Sequence, residues 1–318
     1  MDLSFLLILS LPASIQYAML AVFLLLVIGS VAERLLASRM AAEAHRELRQ
    51  RINSWWIMVG VVFVVLIIGR GASLAFFAVL SFLALREFFS ILPVRHTDRR
   101  VILALYLMIP VQYYWVALEW YGVFIIFIPV YLFLFIPFAL LMLGETRGFI
   151  RSATSYQWAV MTTVFAISHI AYLLILPGER NPAGGPIGLV LYLLFLTQFN
   201  DVAQYLWGKT LGKRKIVPTI SPNKTWAGFL GGVGTTMVLA MLLSTWLTPL
   251  SWFEGLGAGL LIGVAGFVGD LTVSATKRDL GIKDTGQLIP GHGGILDRID
   301  SLMYTAPLFF HFIYYLKY

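Results

Sequence analysis

Long apolar runs follow one another through almost the whole chain, and they restrict the possible folds more than any other feature. A helix needs about 20 mostly apolar residues to cross a bilayer. Ten runs approach or reach this length, and they lie at 15–33, 54–69, 72–93, 101–118, 121–143, 157–177, 186–207, 227–248, 253–273 and 301–316. Because the second and the last run are short, the sequence predicts an all-α, polytopic membrane helix bundle of about nine or ten transmembrane helices.

Composition supports the same class of protein. Hydrophobic residues make up 59% of the 318 residues and charged residues 12%, against roughly 25% charged residues in soluble domains. Cysteine is absent, which excludes disulfides and thiolate sites. The net charge of +7 is explained more simply by membrane topology than by binding of nucleic acid. We therefore expect the lipid bilayer, and no nucleic acid, as a partner.

Basic residues are concentrated on alternate connections between the predicted spans. Five such connections hold 19 Lys and Arg residues, and they lie at 34–51, 95–100, 147–151, 209–224 and 277–298. On the opposite side, the connections between spans hold only Arg70 and Arg180, and the C-terminal end holds Lys317. The positive-inside rule then predicts that the five connections are cytoplasmic and that both termini lie outside, in a bacterial-type inner (plasma) membrane.

No separate soluble domain or internal repeat is evident in the sequence. We therefore treat 1–318 as a single integral membrane domain. Residues 1–180 form mainly hydrophobic N-terminal spans, whereas 185–318 form the polar, catalytic half.

The stretch 274–300 carries far more charge than the apolar sequence around it. Its cations are Lys277, Arg278, Lys283 and Arg298, and its carboxylates are Asp279, Asp284, Asp297 and Asp300. Glycines interrupt the stretch on both sides of His292. Carboxylates can converge on a divalent ion while Lys and Arg neutralise phosphates, and Mg²⁺ prefers oxygen ligands. The stretch therefore predicts a phosphate-and-metal site. A loop of mutually paired charges is the alternative.

The spacing of four polar residues predicts how this site begins. Asp270, Ser274, Lys277 and Arg278 follow the pattern i, i+4, i+7 and i+8, so a continuous helix would carry them on one face. This face would begin inside the membrane. The helix should then break at Gly281.

Two further polar features should lie on the same side of the membrane. Asp201 falls within an apolar span, where an ionised carboxylate costs about 2.5–3.5 kcal/mol unless it faces the bundle interior or a cation. A basic loop with Ser221, Lys224 and Thr225 precedes a run of glycines. Its hydroxyl, ammonium and backbone N–H groups suit phosphate oxygens, and the glycines would let another helix approach closely.

The pattern across 274–300 resembles the signature of the CDP-diacylglycerol synthases (phosphatidate cytidylyltransferases). That signature runs Ser-x-aliphatic-Lys-Arg, then Lys-Asp, then His-Gly-Gly, and ends in Asp-Arg-x-Asp. Here it is matched by Ser274, Lys277, Arg278, Lys283, Asp284, His292, Gly293, Gly294, Asp297, Arg298 and Asp300. The Ser-Pro-x-Lys-Thr at 221–225 and the Asp-x-x-x-Tyr at 201–205 are also similar. The resemblance covers about 185–318.

The resemblance implies a reaction between CTP and phosphatidate that gives CDP-diacylglycerol and pyrophosphate. Mg²⁺ is the implied cofactor, with a second cation such as K⁺ left open, as is a homodimer. The expected metal ligands are Asp270, Asp297, Asp201 and Asp300. The expected catalytic residues are Lys277, Arg278, Asp297, His292 and Asp284. The expected substrate contacts are Ser221, Lys224, Thr225, Ser274, Lys283 and Arg298.

The role of His292 stays open at this point. A general base, a hydrogen-bond donor to phosphate and a residue that fixes the loop are all conceivable. We favour the last two, because a phosphate monoester is already largely ionised near neutral pH and needs no strong base.

Three departures from the family pattern suggest a divergent paralogue with an altered lipid preference. Thr276 stands where an aliphatic residue is expected, and Ala227 stands where a Glu is usual. The sequence at 201–205 is Asp-Val-Ala-Gln-Tyr instead of Asp-Thr-Gly-Ala-Tyr. The alternatives are a CTP-dependent transferase or kinase acting on another lipid phosphate or lipid alcohol, and a membrane transporter.

Overall fold

The computed structural model describes residues 11–39, 41–286 and 293–318, and within these its regular structure is helical apart from isolated bridge residues, among them the antiparallel bridge between Lys215 and Thr225. The helices are α1 (Ala13–Leu36), α2 (Ala42–Ile68), α3 (Arg70–Ile91), α4 (Arg99–Ala117), α5 (Tyr121–Leu141), α6 (149–173), α7 (Gly185–Leu211), α8 (Trp226–Leu247), α9 (Trp252–Asp279), α10 (Leu296–Ile299) and α11 (Leu302–Lys317). A π-helical segment interrupts α5 at Phe127–Leu132 and α6 at Met161–Phe165. The all-α prediction is confirmed.

Eight helices in the described part of the chain are long and apolar enough to cross a membrane, namely α1–α5 and α7–α9. The other two predicted spans correspond to the interrupted α6 and to α11, which has 16 residues. The predicted span 54–69 is the second part of a longer helix, because α2 already begins at Ala42. The described part of the chain is therefore a polytopic membrane helix bundle.

Glycines set the spacing between the helices of the C-terminal half. Gly231 and Gly232 of α8 face Trp207 and Gln204 of α7, and a Cβ atom at either glycine would lie 2.4 Å or less from those side chains. On α9, a Cβ atom at Gly259 would lie 2.6 Å from the Cα atom of Met237. The predicted close approach at the start of α8 is thus confirmed, and it brings the polar ends of α7, α8 and α9 together.

Replacing Gly259 by alanine should therefore destabilise the bundle. The added methyl group would meet the backbone of α8, which cannot move aside as a side-chain tip can, so we expect a loss of about 1–3 kcal/mol. Gly234→Ala is the matched control, because Gly234 is also helical and a Cβ atom there has no neighbour within 4 Å. Thermal unfolding in detergent measures both variants. An equal midpoint for the two would contradict the packing argument.

Contacts between connections show which ends of the helices lie together. Arg95 donates to the carbonyl of Glu145 at 3.3 Å, so the α3–α4 and α5–α6 connections meet. Arg278, near the end of α9, donates to the carbonyl of Ile220 in the α7–α8 connection at 3.3 Å. The opposite ends are joined by the ion pair between Lys317 and Glu254, 2.8 Å long. The basic connections thus share one end of the bundle.

Candidate active site

The polar face predicted on α9 is present. The helix runs without a break from Trp252 to Asp279, so Asp270, Ser274 and Lys277 lie along one side of it. The Ser274 hydroxyl donates to Asp270 Oδ1 at 3.3 Å. The chain leaves the helix through Gly281, whose φ of +69° favours glycine. The helix and the position of its break are both confirmed.

Three carboxylates and two cations from four parts of the chain meet beside this face, and we call them the acidic cluster. Its members are Asp201 on α7, Lys224 before α8, Asp270 on α9, and Arg298 and Asp300 between α9 and α11. Lys224 Nζ lies 2.5 Å from Asp270 Oδ2. Asp201 accepts a hydrogen bond of 3.1 Å from the hydroxyl of Ser301. Asp201 therefore points into the bundle, as the cost of a charge in lipid requires.

The electrostatics of the acidic cluster favour additional positive charge. Burial raises the pKa of the Asp300 carboxyl well above its usual range, and the nearby carboxylates of Asp270 and Asp201 raise it further. Burial opposes the charge on Lys224, but the carboxylates of Asp270, Asp201 and Asp300 together outweigh that effect, and the pKa of the lysine is raised. Arg298 Nε is buried without a hydrogen-bond partner among the described residues. A bound cation would relieve the repulsion between the carboxylates, and a phosphate oxygen could accept a hydrogen bond from Arg298 Nε.

Asp297 belongs to a second group of contacts, centred on the buried pair that it forms with Lys277. Lys277 Nζ lies 2.7 Å from Asp297 Oδ1. The other carboxylate oxygen accepts from the backbone N–H groups of Thr285 and Gly294, each at 3.1 Å, and lies 3.0 Å from the hydroxyl oxygen of Thr285. Burial opposes ionisation of Asp297, but these donors prevail and hold its pKa below the usual range. Both oxygens of this predicted metal ligand are engaged by protein donors.

Glu87 is a residue of this second group that the sequence analysis did not identify. It lies on α3, in the N-terminal half, and accepts the Thr285 hydroxyl at 2.5 Å. It also accepts the N–H groups of Ile295 at 2.8 Å and Leu296 at 3.0 Å. The available signal was an acidic residue inside a predicted span, where a charge normally has a partner. The partner, however, is about 200 residues away in the chain.

The remaining predicted site residues have varied surroundings. Thr225 Oγ1 accepts the N–H of Gly228 at 3.1 Å and so caps the start of α8. Ser221 lies in the turn before it and is half-buried. Lys283 and Asp284 are exposed on the connection after α9. His292 lies outside the described residues.

The acidic cluster has the donor chemistry that suits Mg²⁺ but not a complete set of protein ligands. Its oxygens come from Asp201, Asp270 and Asp300, and carboxylate oxygens are preferred by this ion. Within the described ranges, however, no three acidic or histidine side chains are placed to hold a metal ion between them. Mg²⁺ commonly uses one or two carboxylates together with substrate phosphates. The residues present therefore fit an ion that arrives with a nucleotide.

The chain is similar to a family of known proteins. The family model described as "Cytidylyltransferase family" matches residues 49–316, which is most of the chain. An uncharacterized protein of Escherichia coli strain K12, YnbB, is 44% identical over 305 residues, covering 96% of this chain and all of that protein.

Other similar proteins are named for an activity, and two of them illustrate the match. A phosphatidate cytidylyltransferase of Synechocystis sp. is 45% identical over 137 residues, which cover 42% of this chain and 46% of that protein. A phosphatidate cytidylyltransferase of Staphylococcus aureus (strain COL) is 38% identical over 157 residues, which cover 48% of this chain and 59% of that protein. The chain thus matches these two proteins over about half of their length.

Proposed function

The chain belongs to the cytidylyltransferase family, and on that premise we propose that it transfers CMP from CTP to phosphatidate, releasing CDP-diacylglycerol and pyrophosphate. The observation that carries the proposal is the acidic cluster. It places the Lys224–Asp270 pair beside Asp201 and Asp300, at the polar ends of membrane helices. A water-soluble triphosphate and the phosphate of a membrane lipid could meet there.

The proposed reaction needs little covalent participation by protein groups. A phosphatidate oxygen attacks the α-phosphorus of CTP and forms the new P–O bond, while the bond to the β-phosphate breaks and pyrophosphate leaves with the electron pair. Such transfers are accelerated mainly by positioning and by charge stabilisation. Mg²⁺ bound through one or two of the carboxylates of Asp201, Asp270 and Asp300, together with phosphate oxygens of CTP, would neutralise charge on the triphosphate. Lys224 and Arg298 lie beside these carboxylates and supply fixed positive charge.

Two departures from the family pattern have an account in the structure. The Thr276 hydroxyl donates to the carbonyl of Thr272 at 2.9 Å, which satisfies the polar group within its own helix. Gln204, which replaces an alanine of the common pattern, accepts from Lys224 Nζ at 3.2 Å. The glutamine thus helps to orient the lysine of the acidic cluster. Nothing in the structure explains Ala227.

The proposed orientation has the acidic cluster facing the cytoplasm and both termini outside. The support is the concentration of basic residues on connections at one end of the bundle. Since the chain has no cysteine, single cysteines introduced at Lys283 and at Glu179 can be tested in intact cells with a thiol reagent that does not cross the membrane and with one that does. We expect labelling from outside at 179 only, and the reverse pattern would overturn the orientation.

The direct test uses detergent-purified protein with CTP, Mg²⁺ and phosphatidate. Label at the α-phosphorus of CTP should appear in the lipid product, with stoichiometric release of pyrophosphate and a loss of both on chelation of Mg²⁺. Transfer of label from γ-labelled CTP alone would instead indicate a kinase. Label transfer to another lipid phosphate, but not to phosphatidate, would keep the transferase and overturn the substrate.

A further inference from the structure

We propose that Glu87 is a positioning residue that binds both sides of the connection 286–294 and so fixes the Lys277–Asp297 pair next to the site. The side chain comes from α3, in the half of the chain that carries no family signature motif. Its importance for turnover depends on the proposed function. Its role in holding Thr285 next to the start of α10 does not.

The contacts of Glu87 divide between the two sides of the connection. On the leading side it accepts the hydroxyl of Thr285, at 2.5 Å. On the trailing side it accepts the N–H groups of Ile295 and Leu296, at 2.8 and 3.0 Å. One carboxylate therefore holds together two points that are ten or eleven residues apart in sequence.

The geometry requires a carboxylate and not merely a polar side chain. Leu296 and Ile295 donate to different oxygens of Glu87, so both oxygens must be acceptors. The neutral amide of glutamine has one oxygen and one NH₂ group, and the latter would face an N–H donor. The fit is also tight, because a Cβ atom at Gly294 would lie 2.0 Å from Glu87 Oε1. Gly294 thus leaves room for this carboxylate.

Thr285 links Glu87 to Asp297. Its hydroxyl oxygen lies 2.5 Å from Glu87 Oε1 and 3.0 Å from Asp297 Oδ2. Its backbone N–H donates to the same Asp297 oxygen at 3.1 Å. If Glu87 no longer holds Thr285 and the start of α10, the donors around Asp297 lose their fixed positions. Lys277 is bound to the other oxygen of Asp297 and would shift with it.

The test compares Glu87→Gln with Glu47→Gln. Glu47 is a matched control, because it also lies within a few residues of one terminus of a long helix. Its replacement by glutamine breaks an exposed ion pair with Arg51. Hydrogen exchange of the peptides that contain Ile295 and Leu296 should be faster in Glu87→Gln and unchanged in Glu47→Gln. In the transferase assay, kcat should fall by about 10- to 100-fold in Glu87→Gln, with a smaller change in the KM for CTP, because misplacement of a site costs rate more than ground-state binding.

Thr285→Val provides the second test, because a shared contact produces non-additive effects. The double variant Glu87→Gln/Thr285→Val should lose no more activity than the more impaired single variant. Wild-type exchange of the 295–296 peptides in Glu87→Gln, or losses that multiply in the double variant, would overturn the positioning role. A wild-type protein that is inactive with CTP and phosphatidate would overturn the proposed function, while the exchange measurement would still decide the role of Glu87.

Discussion

Asp270→Asn is expected to lower turnover by about 100-fold or more, which is the size of effect seen when a site loses a group that stabilises transition-state charge. Asp270 is the carboxylate that pairs with Lys224 at 2.5 Å and also lies next to Asp300. Asparagine would leave Lys224 without its counter-charge, and it would replace a negatively charged carboxylate that could bind Mg²⁺ with a neutral amide. Pyrophosphate release at saturating CTP, measured over a range of Mg²⁺ concentrations, gives the effect.

The control for this experiment lies on the same helix. Asp279 is the last residue of α9, and its side chain is exposed. Asp279→Asn changes the charge of the chain equally but should leave turnover within about twofold, because exposed charges away from a site contribute little. Full turnover in Asp270→Asn at the wild-type Mg²⁺ optimum would remove Asp270 from the site.

Asp297→Asn should destabilise the protein as well as inactivate it. Only 6% of the Asp297 side chain and 15% of the Lys277 side chain are exposed, and breaking a buried pair on one side typically costs about 3–5 kcal/mol because the other charge stays buried. The amide group would also replace an oxygen that accepts a hydrogen bond. Unfolding by heat or denaturant in detergent should show a clear shift of the midpoint.

Two comparisons make this prediction specific. Glu47→Gln breaks an exposed pair and should cost less than about 1 kcal/mol. Lys277→Met combined with Asp297→Asn should recover part of the lost stability, because no charge is then left unpaired. A midpoint for Asp297→Asn equal to that of Glu47→Gln would show that the buried pair does not hold the connection.

The two predictions also separate two roles that the sequence analysis had grouped together. Asp270 and Asp297 were both expected to bind metal, because carboxylates of the charged stretch and of the helix before it can converge on one divalent ion. In the structure Asp270 belongs to the acidic cluster, whereas Asp297 holds Lys277, Thr285 and Gly294. The metal assignment of each residue stays a prediction, and loss of Mg²⁺ dependence in one variant but not the other would distinguish them.

The sequence by itself determined the membrane class, the helical architecture and the polar face of α9. These features depend on local patterns, because a run of about 20 apolar residues and a spacing of i, i+4, i+7 and i+8 have the same meaning wherever they occur in a helix. The signature likewise contains two members of the acidic cluster, Arg298 and Asp300. The motifs at 201–205 and 221–225 and the spacing on α9 contain the other three.

Only the tertiary structure decided which carboxylates meet each other and which meet protein donors. Asp297 and Asp300 are only three residues apart, yet they belong to different groups. Asp297 lies within α10, whereas Asp300 follows the end of that helix. Glu87 joins the second group from the other half of the chain. Contacts over such a distance depend on how whole helices pack, and no pattern within a single span records them.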